Sequence, residues 1–175
     1  MAYEKAFIPY RGYWSTPFCR WQGNFAHLHS MAFAADICQK ALAERGISPE
    51  VFDGIVLGMT VPQKSSFYGA PWVAGMIGAV GVTGPTISQA CATSAKCVAT
   101  AAVEIETGSN QNVLVVTCDR TSNSPHIYYP NPLGVGGVGE KEDWVWDNFG
   151  NDPFARNAMI ETAENVAKEA GIRKE

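Results

Sequence analysis

The sequence carries little charge and no concentration of basic residues. It has 13 Lys and Arg against 17 Asp and Glu, a net charge of −4, so it lacks the basic face typical of nucleic-acid-binding proteins. It also lacks any run approaching the ~20 apolar residues of a membrane-spanning helix. The opening residues MAYEKAFIPYRGYW are charged and interrupted by proline, unlike an export signal. We therefore expect a cytoplasmic protein that binds neither nucleic acid nor a membrane.

Motifs for disulfides and metals are missing as well. The five cysteines are odd in number and contain no C-x-x-C pair, which argues against a disulfide framework or a zinc site. His27 and His29 form only a weak metal pair without a third ligand, so we expect no bound metal. Cysteine is usually a small buried hydrophobic residue, and we expect burial for Cys19, Cys38, Cys97 and Cys118. The fifth, Cys91, needs separate treatment.

Hydrophobic periodicity in the first two-thirds of the chain alternates between strand and helix patterns. Ser30 is the expected N-cap of the first helix and Gly46 its expected stop. This alternation predicts an α/β unit with a mostly parallel sheet, and the continuously apolar strands predict a sheet covered on both faces. The predicted elements are, in order, a strand at 5–10, a helix at 29–47, a strand at 52–61, a helix at 70–81, a strand at 85–90, a helix at 91–107 and a strand at 112–118.

The composition changes after Asp119. Residues 120–154 are rich in Gly, Pro, Asn and aromatic side chains and show no clear period, which is typical of a functional lid or a small subdomain. The GVGGVG stretch at 134–139 lacks the Lys-Ser/Thr of a phosphate-binding loop and predicts a lid hinge. Helical spacing returns at 155–172. Large aromatic side chains on a lid could contact an acyl chain or pantetheine, but packing within the subdomain is the favoured role for these four: Trp144, Trp146, Phe149 and Phe154.

Cys91 stands at a strand-to-helix junction in PTISQACATSAKCVATAAVEIETG. The start of a helix stabilises a thiolate through its free amides and its dipole, and the carboxyl edge of an α/β sheet is where such folds place their sites. Residue geometry alone leaves a nucleophile and a packing cysteine equally open. The next turns are built from small residues, which predicts a helix buried on several sides. One predicted face consists of Ala92, Ala95, Val98, Ala99, Ala102 and Val103.

Three histidines are available to pair with a cysteine nucleophile. A Cys–His pair would need one of them beside Cys91. We expect ordinary surface or turn roles for His27, His29 and His126, since none has an evident partner in the sequence.

Three segments resemble the thiolase superfamily. Residues 87–125, ISQACATSAKCVATAAVEIETGSNQNVLVVTCDRTSNSP, resemble its nucleophile segment, and 6–23 resemble its first strand and following turn. The most specific match is MIETAENVAKEAGI at 159–172, which is similar to a segment of the thiolase loop domain. The resemblance implies an α/β, thiolase-like layered fold with a mixed, mostly parallel sheet. Residues 1–119 would form the N-terminal core half, and 120–175 the start of the loop (lid) domain.

The resemblance also implies a function. Cys91 would take an acyl group from a 3-ketoacyl-CoA or from acetyl-CoA, with coenzyme A as a substrate and not a permanently bound cofactor. Met159 would line the tunnel for the pantetheine arm of coenzyme A. The catalytic histidine and second cysteine of thiolases lie in later N-E-A-F-like and G-H-P-like motifs, and neither motif occurs before Glu175. This chain alone would therefore be inactive and would need the missing C-terminal half or a partner subunit, with a homo-oligomer (dimer or tetramer) covering its exposed apolar face.

The turn at the cysteine departs from the thiolase pattern. Thiolases usually read N-x-x-C-G-S-G, whereas this chain has Ser88 three residues before Cys91 and continues with Ala92, Thr93 and Ser94. ACATSAKC is nearer to β-ketoacyl synthases, although the spacing before the cysteine and the T-A-E-N-V-A segment favour thiolases. A β-ketoacyl synthase-like enzyme acting on acyl carrier protein and a non-catalytic thiolase-like partner subunit therefore stay open as alternatives.

Overall fold

The computed structural model describes residues 3–173, and these divide into two compact units between Asn123 and Ser124. The helices are α1 Ser30–Glu44, α2 Ala70–Ile77, α3 Thr93–Thr107, α4 Trp146–Gly150 and α5 Met159–Glu169. The strands are β1 Gly54–Gly58, β2 Thr86–Ile87, β3 Val113–Thr117, β4 His126–Tyr129 and β5 Glu140–Asp143. Short 3₁₀ turns cover Pro49–Val51, Ala90–Ala92 and Val135–Gly137.

The first unit is built on a parallel sheet with strand order β2-β1-β3. Gly58 at the end of β1 lies opposite Ile87 of β2 and Thr117 of β3, so all three strands end at the same edge. Every residue of the central strand β1 is buried. The predicted α/β fold with a parallel sheet is confirmed.

Helices cover both faces of the sheet, as the apolar strands predict. Successive side chains of a strand point to opposite faces, and β1 follows this rule. Ile55 and Leu57 belong to a core cluster with α1 and α2, whereas Val56 packs with Cys97 and Ala101 of α3. The first unit therefore has three layers, helix, sheet and helix, with β1 at the centre of the sheet.

The ends of α1 agree only partly with the prediction. Gly46 follows the helix with φ +64°, the left-handed conformation that glycine adopts at low cost, so the predicted stop is confirmed. The predicted N-cap is wrong by one residue, because His29 is the N-cap and Ser30 is the first helical residue. The amide of Ser30 donates to the Gln63 side chain at 3.1 Å, so a side chain from a distant loop performs the capping.

The first predicted strand, at 5–10, is wrong. These residues belong to no strand, and most of them are exposed. Glu106 of α3 holds part of the segment, since its carboxylate accepts hydrogen bonds from the amides of Lys5 and Ala6 at 2.6 and 2.8 Å. A strand exists only where a neighbour pairs with it, and within residues 3–173 no strand pairs with this segment.

The predicted orientation of α3 is also wrong. The helix packs on the sheet through Thr93, Cys97 and Ala101, which lie four residues apart, and not through the expected face. Val98 and Val103 of the expected face are 45% and 50% exposed. Within this chain the sheet covers α3 along the row of Thr93, Cys97 and Ala101, and burial of the helix on several sides stays a prediction for the whole protein.

The second unit contains an antiparallel hairpin, β4–β5, in which His126 lies opposite Asp143. The sequence showed no period here, so this hairpin was not predicted. Gly136 and Gly137, with φ +68° and +71°, lie in the loop of the hairpin. The predicted helical segment at 155–172 is confirmed in part, as the shorter helix α5 at Met159–Glu169, which has no buried residue. Between residues 3 and 173, no helix is both long and apolar enough to cross a bilayer.

Candidate active site

The carboxyl ends of the three parallel strands bring the candidate residues to one edge of the first unit. The chain leaves β1 at Met59, leaves β2 toward Cys91 and leaves β3 toward Asp119. The amide of Met59 donates to the carbonyl of Ile87 at 3.1 Å, which joins the ends of β1 and β2. Open α/β sheets bind their ligands outside this edge.

Cys91 lies on a tight elbow between β2 and α3. The residue before it, Ala90, has φ +44°, a left-handed conformation that is costly for a residue with a Cβ. Residues Ala90–Ala92 form a 3₁₀ turn, closed by the amide of Ala92 donating to the Gln89 carbonyl at 3.0 Å. The α-helix itself begins at Thr93, two residues later than predicted. Backbone strain of this kind persists only where the surrounding structure maintains it. Such strain is found most often at functional sites.

The side chain of Cys91 is exposed at this elbow. Within this chain Cys91 is not buried among apolar neighbours as a packing cysteine would be, and its role as a nucleophile stays a prediction.

Three of the four remaining cysteines lie in more buried surroundings than Cys91. Burial raises the pKa of the Cys38 thiol to about 11 and that of Cys118 to about 12, and it also raises the pKa of Cys97. These three thiols are therefore almost entirely protonated near neutral pH and poor nucleophiles. Cys19, expected to be buried, is exposed, because its N-terminal segment does not join the sheet. That prediction is wrong.

Thr93 links the elbow to the helix. Its hydroxyl accepts a hydrogen bond from the Gln89 amide at 2.8 Å and donates one to the Ala90 carbonyl at 2.7 Å. The side chain thus spans the turn that carries Cys91. In the sequence, Thr93 stands out only as part of the altered turn motif.

Asp119 joins the ends of β1 and β3. Its carboxylate accepts hydrogen bonds from the amide and hydroxyl of Thr60 and from the amide of Val61, the two amide bonds to Oδ1 measuring 3.0 and 2.8 Å. This arrangement fixes the loop that leaves β1 at the same edge as the elbow. Sequence reasoning missed Asp119, although an acidic residue directly after an apolar strand is a recognisable signal for this edge.

The histidines lie in other environments. His29 Nε2 donates to the Lys64 carbonyl at 2.8 Å, and the ring meets the Trp72 ring edge-on at 5.3 Å between centroids. His126 Nε2 lies 3.6 Å from an Asp143 carboxylate oxygen within the second unit. His27 is exposed. Across residues 3–173, the structure gives Cys91 no histidine hydrogen-bond partner and groups no three His, Cys, Asp or Glu side chains as a metal site.

Met159 is the first residue of α5 in the second unit and is 41% exposed. It is therefore not a core methionine of this unit. The helix start beside it is capped by Glu161, whose carboxylate accepts a hydrogen bond from the Ala158 amide at 2.7 Å. The role of Met159 in binding coenzyme A stays a prediction.

Comparison with known proteins places the chain in a family. The model of the thiolase N-terminal domain matches residues 13–175. A probable acetyl-CoA acyltransferase from Staphylococcus aureus (strain COL) is 27% identical over 164 residues, covering 91% of this chain and 41% of the relative. The chain thus spans about two-fifths of the length of the curated relatives it matches.

Solved structures agree with the family match. The Bacillus anthracis acetyl-CoA acetyltransferase superposes with a TM-score of 0.75 at 26% identity, over 87% of this chain and 39% of that one. The human mitochondrial 3-ketoacyl-CoA thiolase in complex with CoA gives a TM-score of 0.76 at 25% identity, over 90% and 40%. The chain therefore belongs to the thiolase superfamily, and its sequence corresponds to the N-terminal domain of that family.

Proposed function

We propose that Cys91 is the nucleophile of a thiolase-type acyl transfer to and from coenzyme A. The observation that carries the proposal is the position of the exposed Cys91 on the left-handed Ala90 elbow, at the carboxyl edge of a parallel sheet. The family match supports it, because the matched region includes this elbow.

Sulfur chemistry suits both halves of such a reaction. When acetyl-CoA is the donor, the Cys91 thiolate attacks its thioester carbonyl carbon, a new carbon–sulfur bond forms, and the bond to the coenzyme A sulfur breaks. Coenzyme A then leaves as a thiolate and takes up a proton. When a 3-ketoacyl-CoA is the donor, the thiolate attacks the 3-keto carbon, the bond between C2 and C3 breaks, and the released acetyl-CoA carbanion takes up a proton. The acyl group then passes to a substrate carbanion in the first case and to the coenzyme A thiolate in the second, and Cys91 is released as a thiolate.

The proton of the Cys91 thiol must go to a base. His29 is engaged with Lys64 and Trp72, His126 lies 3.6 Å from an Asp143 carboxylate oxygen, and within residues 3–173 no hydrogen bond joins His27 to Cys91. We therefore propose that the base comes from the remainder of the whole protein or from a partner subunit, consistent with the share of its relatives that this chain spans.

Trapping the acyl-enzyme tests the proposal. The complete protein, or this chain combined with its partner, is incubated with acetyl-CoA and then digested for peptide mass spectrometry. We expect one acetyl group on the Cys91 peptide and none on the peptides of Cys19 or Cys97. Acetylation distributed equally over exposed thiols, or absent from Cys91, contradicts the proposal.

The same preparation separates the two alternatives. Release of carbon dioxide from a malonyl-thioester on acyl carrier protein would identify a β-ketoacyl synthase-like enzyme. An assembly in which Cys91 is never acylated while acyl-CoA is turned over normally would identify this chain as a non-catalytic subunit.

We further propose that Met159 contacts the pantetheine arm of coenzyme A. A thioether is a pliable apolar wall for a slim, flexible ligand, and the side chain is 41% exposed on α5 and thus available. A Met159→Ala variant is expected to raise the KM for acyl-CoA roughly tenfold with little change in kcat, because binding common to ground and transition states is lost. Val166, on the same helix and 56% exposed, offers a control in Val166→Ala. Unchanged KM for Met159→Ala, measured by steady-state kinetics, would remove Met159 from the binding site.

A further inference from the structure

We propose that Thr93 is the positioning residue of the Cys91 elbow, an inference that rests on the proposed role of Cys91. Thr93 touches no reacting atom in this assignment. It acts through the backbone, by holding the turn in the one conformation that presents the Cys91 sulfur beyond the end of β2.

The hydroxyl of Thr93 uses both its donor and its acceptor within the elbow. It accepts from the Gln89 amide at 2.8 Å and donates to the Ala90 carbonyl at 2.7 Å. The Ala90 carbonyl also accepts a hydrogen bond from the backbone amide of Thr93. These bonds hold the Gln89 amide and the Ala90 carbonyl, so they span the backbone on both sides of Ala90, the residue with φ +44°. A left-handed alanine persists only where its surroundings enforce it, and the hydroxyl of Thr93 supplies that constraint.

The methyl group of Thr93 fixes the direction of the hydroxyl. Thr93 is only 6% exposed and faces the end of β1. A Cβ placed on Gly58 would lie 2.9 Å from the Thr93 Cγ2 and 2.8 Å from the Cys97 Sγ, which shows how closely α3 approaches the strand here. Packing against β1 therefore restricts the χ1 rotamer of Thr93, which for a β-branched side chain also sets the hydroxyl.

The neighbouring Ser94 provides a contrast. It carries the same hydroxyl group one residue further along α3, but it is exposed and faces away from the sheet. A hydroxyl near the nucleophile is thus not sufficient to hold the turn. The two hydrogen bonds to Gln89 and Ala90 distinguish Thr93 from Ser94.

The test measures alkylation of Cys91 by iodoacetamide at fixed pH, with the exposed Cys19 of the same molecule as an internal reference. Thr93→Val keeps the branched shape and removes the hydroxyl, Thr93→Ala removes it without added volume, and Thr93→Ser retains it. We expect the Cys91-to-Cys19 rate ratio to fall about tenfold in the valine and alanine variants, since the elbow no longer holds the sulfur in its place ahead of α3. The serine variant should stay within about twofold of wild type. Ser94→Ala is the matched control and should leave the ratio unchanged.

Circular dichroism and thermal unfolding of each variant separate local from global effects. A wild-type ratio in a folded Thr93→Val or Thr93→Ala protein overturns the inference, and so does a tenfold fall in Thr93→Ser. The acyl-trapping experiment reads the proposed function independently. If Cys91 is acylated but the Thr93 variants keep the wild-type alkylation ratio, only the positioning role is contradicted. If the Thr93 variants lower the ratio but Cys91 is never acylated, only the acyl-transfer proposal is contradicted.

Discussion

Replacing Cys91 by alanine in the complete enzyme is expected to lower acyl-CoA turnover by at least about 10³-fold, because the covalent intermediate can no longer form. The side chain is exposed and lies outside both core clusters, so the fold should survive the change. The measurement is kcat with acetyl-CoA or a 3-ketoacyl-CoA, accompanied by thermal unfolding to show that the variant is folded.

Cys19→Ala provides the matched control for this loss. Cys19 is also an exposed free thiol, but it lies in the N-terminal segment and not at the sheet edge. Its removal should leave kcat unchanged. Full activity in Cys91→Ala would show that another chain supplies the nucleophile, and equal losses in both variants would point to a general thiol effect.

The largest expected effect on stability comes from Gly84→Ala. The segment before β2 runs tightly beside β1, with the Ile55 amide donating to the Thr83 carbonyl at 3.3 Å and the Leu57 amide donating to the Pro85 carbonyl at 3.0 Å. A Cβ on Gly84 would overlap the carbonyl oxygen of Ile55. Because the obstacle is backbone in the central strand, it cannot move aside without breaking this pairing. We expect a loss of about 3 kcal/mol or more in the free energy of unfolding, measured by urea titration.

Gly75→Ala is the opposite case and serves as its control. Gly75 lies inside α2, and a Cβ there would meet no atom within 4 Å. Alanine in an open helical position should therefore stabilise the protein by roughly 0.5–1 kcal/mol. If both variants lost stability equally, the close approach of the two backbones at Gly84 would not be the cause.

The sequence predicts well those elements whose apolar residues are buried in the core of this chain. The run at β1 is apolar throughout, and β1 is buried on both faces. The strand at 5–10 fails for the complementary reason. Its apolar residues suit a strand, but a strand also needs a paired neighbour, and residue pattern contains no information on whether one is present.

The candidate site was predictable in its position and not in its fine structure. Cys91 at the end of β2 follows from the strand-to-helix pattern, whereas the left-handed Ala90 has no signal in the sequence because alanine rarely adopts it. The orientation of α3 was unpredictable for a different reason. A helix with small residues on nearly all sides has no single apolar stripe, and only the close contact at Gly58 decides which side faces the sheet.

Only one row of α3 residues is buried against the sheet, and this determines which substitutions the helix tolerates. A substitution library screened only for folding of this unit should be intolerant at every fourth residue, Thr93, Cys97 and Ala101, where the helix contacts β1. Outward positions such as Ala95 and Val98 should accept larger side chains in that screen, since they are exposed. Their small size is therefore not required by the stability of this chain, and a second screen for activity of the whole protein would separate the residues that fold the unit from those that serve the whole protein.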